Sequence, residues 1–293
     1  MLTRAVDTVT RVRIDIGGGL RLFVDIDGPG LVPDGATMVE RPTVLLLHGG
    51  PGSDHSWYKS SPVELTDLAQ VVYYDHRGNG RSDPGSPADW TLDVWADDVV
   101  RLCDALGIDH PIVIGESFGG MVAQRYLARH PGHPARVVLA STAPRFDLDL
   151  VTAAFDRLGG PSAADAARQF WTKGPEAILD YLVHCMPLYS VEPGDDAVLG
   201  RVVMNLEVMG RFQTGEHMSM DLGPGLAAAT CPVLVVSGEL DPICPPEMGE
   251  EIVAALLNAE VTFVRVPDAS HDDARPRASD AIRGFITDRA GVP

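Results

Sequence analysis

Ile112-Val113-Ile114-Gly115-Glu116-Ser117-Phe118-Gly119-Gly120 is the stretch whose reading decides the fold. Its three β-branched apolar residues read as a strand buried on both faces, and the segment from Phe118 to Arg129 reads as a helix. Between them stands a serine with glycines two before and two after it. That spacing permits the tight strand-to-helix turn that raises a hydroxyl above a sheet, a nucleophile elbow, and it makes Ser117 the candidate nucleophile. A serine hydroxyl at neutral pH needs a base to take its proton, and the base needs an orienting carboxylate.

Outward from the elbow the same rhythm repeats. Short Val/Ile/Leu runs at Val44–Leu47, Val71–Tyr74, Val137–Ala140, Val233–Val236 and Val261–Val266 predict parallel strands. Helices are expected at Thr91–Leu106, Glu247–Leu257 and Ala278–Asp288, and Ser61-Pro62-Val63-Glu64 has capping-box spacing with Pro at the first helical position. Val12–Ile16 and Leu20–Ile26, on either side of Gly17–Gly19, predict an antiparallel hairpin. The fold class is therefore α/β, a mostly parallel, doubly wound sheet with an N-terminal antiparallel hairpin. Residues 144–226 break the rhythm with Ala-rich and Met-rich helical patterns, so they are expected to form an insertion, with 1–143 and 227–293 as the core.

Loops at strand C-termini are where open α/β sheets place ligands, and two of them supply the missing partners. Asp241 follows Val233–Val236, and His271 follows Val261–Val266, giving the chain order Ser117, Asp241, His271. Glu239, in the same loop as Asp241, is the rival acid; Asp272 and Asp273 read as solvated neighbours. His48-Gly49-Gly50-Pro51-Gly52 follows Val44–Leu47, and its glycines let backbone N–H groups approach a developing oxyanion. The donors expected are the amides of Gly50 and Phe118, with Gly49 beside the substrate; His48 reads as a structural imidazole bonded to backbone. Asp75–Ser82 lacks the spacing of a phosphate loop and reads as a rigid loop held by an Asp–Arg pair.

The composition excludes several alternatives. With 41 acidic against 23 basic side chains the net charge is −18, a field that repels nucleic acid and anionic membrane surfaces. Cys103, Cys185, Cys231 and Cys244 stand far apart without a CxxC, so they read as free thiols in a cytoplasmic protein. The histidines lack metal-ligand spacing; neither metal nor cofactor is implied. The expected partner is a small molecule or a short peptide.

Five landmarks, HGGPG at 48, DHRGNGRS at 75, GESFGG at 115, GELD at 238 and SH at 270, resemble the α/β-hydrolases, and among them the proline iminopeptidase family. The resemblance implies a Ser117–Asp241–His271 triad, a helical cap at 144–226, and release of an N-terminal residue such as proline through an acyl-enzyme. It also implies cap glutamates that bind the substrate's α-amino group. Val203-Met204-Asn205-Leu206-Glu207 is similar to the family's Met-Asn…Glu stretch and makes Glu207 the candidate, with Glu216 a guess for a second carboxylate. The family commonly carries Gly-Gly-Ser-Trp at the elbow, where this chain has Glu116 and Phe118 around Ser117. Esterase, lactonase, amidase or tailoring chemistry on a small metabolite is the alternative, and a non-catalytic ligand-binding protein of the same fold is a third.

Overall fold

The apolar runs form strands of one sheet. In chain order they are β1 (Thr10–Asp15), β2 (Arg21–Asp27), β5 (Thr43–Leu47), β6 (Gln70–Tyr74), β7 (Ile112–Glu116), β8 (Arg136–Ala140), β9 (Val233–Gly238) and β10 (Val261–Val266). β3 (Leu31–Asp34) and β4 (Thr37–Glu40) make a separate antiparallel pair that the sequence reading did not anticipate. This computed structural model describes residues 10–60, 65–192 and 196–288; the helix expected at 61–64 lies outside them.

The sheet runs β1-β2-β6-β5-β7-β8-β9-β10. The hairpin β1–β2 is antiparallel and joins β6 antiparallel, and every pairing from β6 to β10 is parallel. β5 explains the need for apolar residues at every position. Leu45 and Leu47 enter one core with Trp95, Phe118 and Tyr126, while Val44 and Leu46 enter the other with Tyr58, Ile282 and Ile286. Burial on both faces replaces the alternation that a one-sided sheet would show.

Helices cover both faces: α1 (Leu92–Leu106), α2 (Phe118–Arg129), α6 (Pro246–Ala255) and α7 (Ser279–Thr287). α1 starts where the Thr91 side chain accepts the Val94 amide and stops at Gly107 in the left-handed region. Between β8 and β9 the chain is helical, with α3 (Leu148–Lys173), α4 (Ile178–His184) and α5 (Leu206–Thr214). α3 is broken at Gly160, whose φ of 74° departs from helical backbone just before Pro161. Among the described residues, no helix is long and apolar enough to cross a membrane.

The loop after β6 fixes the loop after β5. Asp75 accepts the His55 amide at 3.0 Å, the His55 Nδ1–H at 2.6 Å and the Arg81 amide at 2.8 Å. Asn79 Oδ1 accepts the Gly52 amide at 2.6 Å. Asp–Arg pairs hold this loop: Arg77 makes a two-pronged bond to Asp98 of α1, at 2.8 and 2.7 Å, and Arg81 pairs with Asp54 and lies 4.0 Å from Asp75. Burial lowers the basicity of His55, but its bonds to Asp25 and Asp75 outweigh that and raise its pKa to about 9.

A raised folded-state pKa contributes stability that is complete below the unfolded value and is lost as pH rises through the folded one. The melting temperature is therefore expected to fall by roughly 5 °C or more between pH 7 and pH 10. His55→Asn should have a lower melting temperature at pH 7 and a shallower slope. A pH series of thermal melts on both proteins checks this, and parallel slopes would contradict it.

Candidate active site

Ser117 links β7 to α2 with φ of 55° and ψ of −118°, a backbone conformation that L-residues rarely adopt. The flanking glycines make it possible. A Cβ on Gly119 would fall inside the carbonyl oxygen of Leu47, and one on Gly115 would lie 2.5 Å from the carbonyl oxygen of Gly119. The turn is held by the Ser117 amide donating to Ala140 at 3.0 Å and by the Thr142 hydroxyl donating to the Ser117 carbonyl at 2.8 Å.

The loops after β9 and β10 bring their side chains to this point. Asp241 is fully buried; its Oδ1 accepts the Ile243 and Cys244 amides, each at 2.8 Å, and its Oδ2 lies 2.8 Å from His271 Nδ1. His271 Nε2 lies 3.0 Å from Ser117 Oγ. With Nδ1–H donating to Asp241, Nε2 is free to accept the serine proton. The His271 carbonyl accepts the Ser141 hydroxyl at 2.8 Å, which ties the base loop to the end of β8. Glu239 is not the partner of His271; its contact is Arg265, at 3.7 Å.

Asp272 is exposed, whereas Asp273 departs from the solvated role expected of it. Its carboxylate accepts from Ser190 Oγ at 2.7 Å, from the Val191 amide at 2.8 Å and from the Ser270 amide at 3.0 Å. With the Asp272 amide donating to the Tyr189 carbonyl at 2.8 Å, these bonds dock residues 189–191 on the base loop. The Tyr189 ring stands edge-on to His271, centroids 5.3 Å apart.

Opposite the base, a Cβ on Gly49 would lie 3.5 Å from Ser117 Cβ. Among the described residues, the amides of Gly50 and Phe118 donate to no protein acceptor. The Phe118 amide is also the first of α2, where the helix dipole favours negative charge. His48 is buried and bonded to backbone, donating from Nδ1 to the Gly49 carbonyl at 2.7 Å and accepting the His76 amide on Nε2 at 3.0 Å; burial lowers its pKa.

The two acidic candidates from the helical segment sit elsewhere. Glu207, in the first turn of α5, is exposed and 3.4 Å from Arg211 one turn on. It stands two residues beyond Asn205, whose amide donates to the Gly52 carbonyl of the HGGPG loop at 2.6 Å. Glu216 accepts the Leu92 amide at 2.8 Å, so it caps α1. Cys244 comes with Asp241 and His271 into a group whose potential ligand atoms lie within 4.8 Å of one another. Burial, with the Asp241 charge beside it, raises the Cys244 thiol well above its ordinary pKa.

Glu116, the residue by which the elbow departs from the family's usual sequence, has a partner. Its carboxylate accepts the Arg275 Nε–H at 2.7 Å, and the Arg275 guanidinium lies over the Tyr58 ring at 4.4 Å. This partly buried pair joins the residue before Ser117 to the segment that follows His271. Sequence alone offered no signal for it, because the two residues are 159 positions apart.

The alpha/beta hydrolase fold family matches residues 42–180, and the family described as TAP-like protein matches 213–288. A proline iminopeptidase, PfmaB, of Pestalotiopsis fici is 30% identical over 85% of this chain and 92% of its own length. The chain belongs to the proline iminopeptidase-like α/β-hydrolases. Its fold is that of the Mycobacterium smegmatis proline iminopeptidase, with TM-score 0.75 and 22% identity over 94% of this chain and 97% of that one. An esterase of Thermogutta terrifontis matches with TM-score 0.68 and 26% identity over 94% and 98% of the two chains. This α/β-hydrolase is thus similar to both peptidases and esterases.

Burial lowers the basicity of His271, but the charge and hydrogen bond of Asp241 outweigh that and raise its pKa to about 9, with Asp272 and Glu116 adding to the rise. A protonated imidazole cannot take the Ser117 proton, so kcat/KM for an ester is expected to climb with pH until His271 is neutral. Arg275 opposes Glu116 and itself faces Tyr58. Glu116→Gln should therefore move this limb to lower pH, and Arg275→Met to higher pH. Coincident limbs in the pH profiles of the three proteins would contradict the assignment.

Proposed function

We propose that this hydrolase works through an acyl-enzyme, with Ser117 as nucleophile, His271 as base and Asp241 as the orienting acid. The observation that carries this reading is the continuous relay Ser117 Oγ, His271 Nε2, His271 Nδ1, Asp241 Oδ2, with steps of 3.0 and 2.8 Å. As the Ser117 oxygen attacks the carbonyl carbon, His271 accepts its proton, and Asp241 stabilises the imidazolium without becoming protonated. The oxyanion is bound by the amides of Gly50 and Phe118, each such donor being worth on the order of 3 kcal/mol in the transition state. His271 then protonates the leaving group. Water, deprotonated by the same imidazole, attacks the ester, and the returning proton restores the Ser117 hydroxyl.

The substrate proposed is a short peptide or amide that loses its N-terminal residue, proline among the candidates. The kinship with proline iminopeptidases supports this, as does the placement of α5 beside the HGGPG loop. In this reading residues 144–226 act as a cap, Gly49 borders the bound substrate, and Glu207 leaves Arg211 to meet the α-ammonium group. Four free, buried cysteines favour the cytoplasm. Esterase activity is the second reading. It is favoured by the exposed Glu207–Arg211 pairing, by the engagement of Glu216 at α1, and by the Thermogutta terrifontis esterase.

Hydrolysis of L-proline β-naphthylamide is expected in the wild type and should fall at least ~1,000-fold in kcat for Ser117→Ala. Glu207→Gln should raise KM about tenfold and change kcat little, as befits loss of uniform binding. Turnover of p-nitrophenyl esters with none of the naphthylamide would select the esterase reading.

A further inference from the structure

His271 has a weaker footing in the sheet than Ser117. The serine follows β7, which is paired on both sides, whereas His271 follows β10, an edge strand that among the described residues pairs only with β9. Of the six residues of β10, Val266 alone is buried. The core grips the base loop through the Ser141 hydroxyl on the His271 carbonyl, at 2.8 Å, and the Leu240 amide on the Ala269 carbonyl, at 2.9 Å.

Residues 188–191, which follow α4 in the helical segment, grip it from the other side. Immediately before His271, Ser270 Oγ lies 2.5 Å from the Leu188 carbonyl oxygen. Immediately after it, the Asp272 amide donates to the Tyr189 carbonyl at 2.8 Å. Asp273 ties these ends together. Its Oδ1 accepts the Ser190 hydroxyl at 2.7 Å, and its Oδ2 accepts both the Val191 amide at 2.8 Å and the Ser270 amide at 3.0 Å. One carboxylate thus closes the loop around His271 and fastens it to a segment 82 positions away. Tyr189, between these bonds, turns its ring edge to the imidazole, and its hydroxyl is 2.6 Å from that of Tyr181 on α4.

We propose that Asp273 is a positioning residue of this hydrolase: it sets His271 against Ser117 by fastening the base loop to residues 190–191, so that the relay is aligned only while the helical segment is docked. The inference rests on the serine hydrolase reading. A group held by a loop is placed less accurately than one on a strand unless its supports fix it, and a misplacement of about 1 Å costs on the order of 100-fold in rate. The task calls on the shape of Asp273 rather than its charge. Asparagine in its place keeps an oxygen for the two amides and turns its NH2 toward the Ser190 oxygen, which has lone pairs to accept it. Alanine offers neither, and it leaves the buried Ser270 amide without this acceptor.

The test is steady-state kinetics, on protein shown to be folded by near-UV circular dichroism, with whichever of p-nitrophenyl acetate and L-proline β-naphthylamide the wild type turns over. Asp273→Ala should lower kcat about 100-fold with little change in KM, and should slow fluorophosphonate labelling of Ser117 in parallel. Asp273→Asn should restore most of the rate, which loss of a charge would not allow. Ser190→Ala should lower kcat about fivefold in the wild type and no further in Asp273→Ala, where the bond it removes is already gone. Should Asp273→Ala fail to fold, Ser190→Ala and Asp273→Asn decide: the first slowed at constant KM and the second near wild type support the proposal, and a Ser190→Ala enzyme as fast as wild type overturns it. Wild-type kcat in Asp273→Ala, or Asp273→Asn as slow as Asp273→Ala, would overturn it and leave the serine hydrolase reading standing. Undiminished turnover in Ser117→Ala would instead overturn the reading on which it rests.

Discussion

One backbone constraint organises the catalytic end of this molecule: Ser117 must sit at φ of 55° in a turn so tight that neither Gly115 nor Gly119 has room for a Cβ. A non-glycine residue in such a conformation costs about 1–3 kcal/mol and persists only where its surroundings over-determine it. Here they do. β7 is central in the sheet, paired with β5 and β8, and the elbow carbonyl and amide are bonded to Thr142 and Ala140 beyond and within β8. The strain is thus carried by a strand paired on both sides, and its product is a hydroxyl presented at the loop end of the sheet.

Parallel pairing does the rest. Because β5 to β10 run the same way, their C-terminal loops gather at one edge, and Gly50, Ser117, Asp241 and His271 meet there from four separate strands. Bonds between loops then set the geometry more finely than the strands can. Ser141 holds the backbone of His271, Asn79 holds Gly52, and the Glu116–Arg275 pair spans nucleophile and base loops. The last of these joins the residue before Ser117 to the loop of His271, and the Glu116 charge raises the His271 pKa.

The strands were legible because burial on both faces demands unbroken apolar runs, and the elbow because only glycine fits beside Ser117. Asp241 and His271 could be found because strand ends point to functional loops. What escaped the sequence has a common cause. β3 and β4 pair through exposed residues that leave no apolar signature. Asp273 and Glu216 read as solvated or substrate-facing acids, yet they accept backbone amides supplied by segments 82 and 124 residues away. Trp171 and His217 stand 46 positions apart, and only tertiary packing stacks their rings. Local pattern reports how a segment folds, and these features depend on which segment lies opposite.

The account stands on Ser117 becoming covalently acylated with His271 as its base. Peptide mass spectrometry of the protein quenched in acid during turnover of p-nitrophenyl acetate tests this most directly. An acetyl group on the peptide that carries Ser117, nearly absent in His271→Gln, is the result expected. Steady ester hydrolysis with Ser117 unmodified, or acetylation undiminished in His271→Gln, would contradict it.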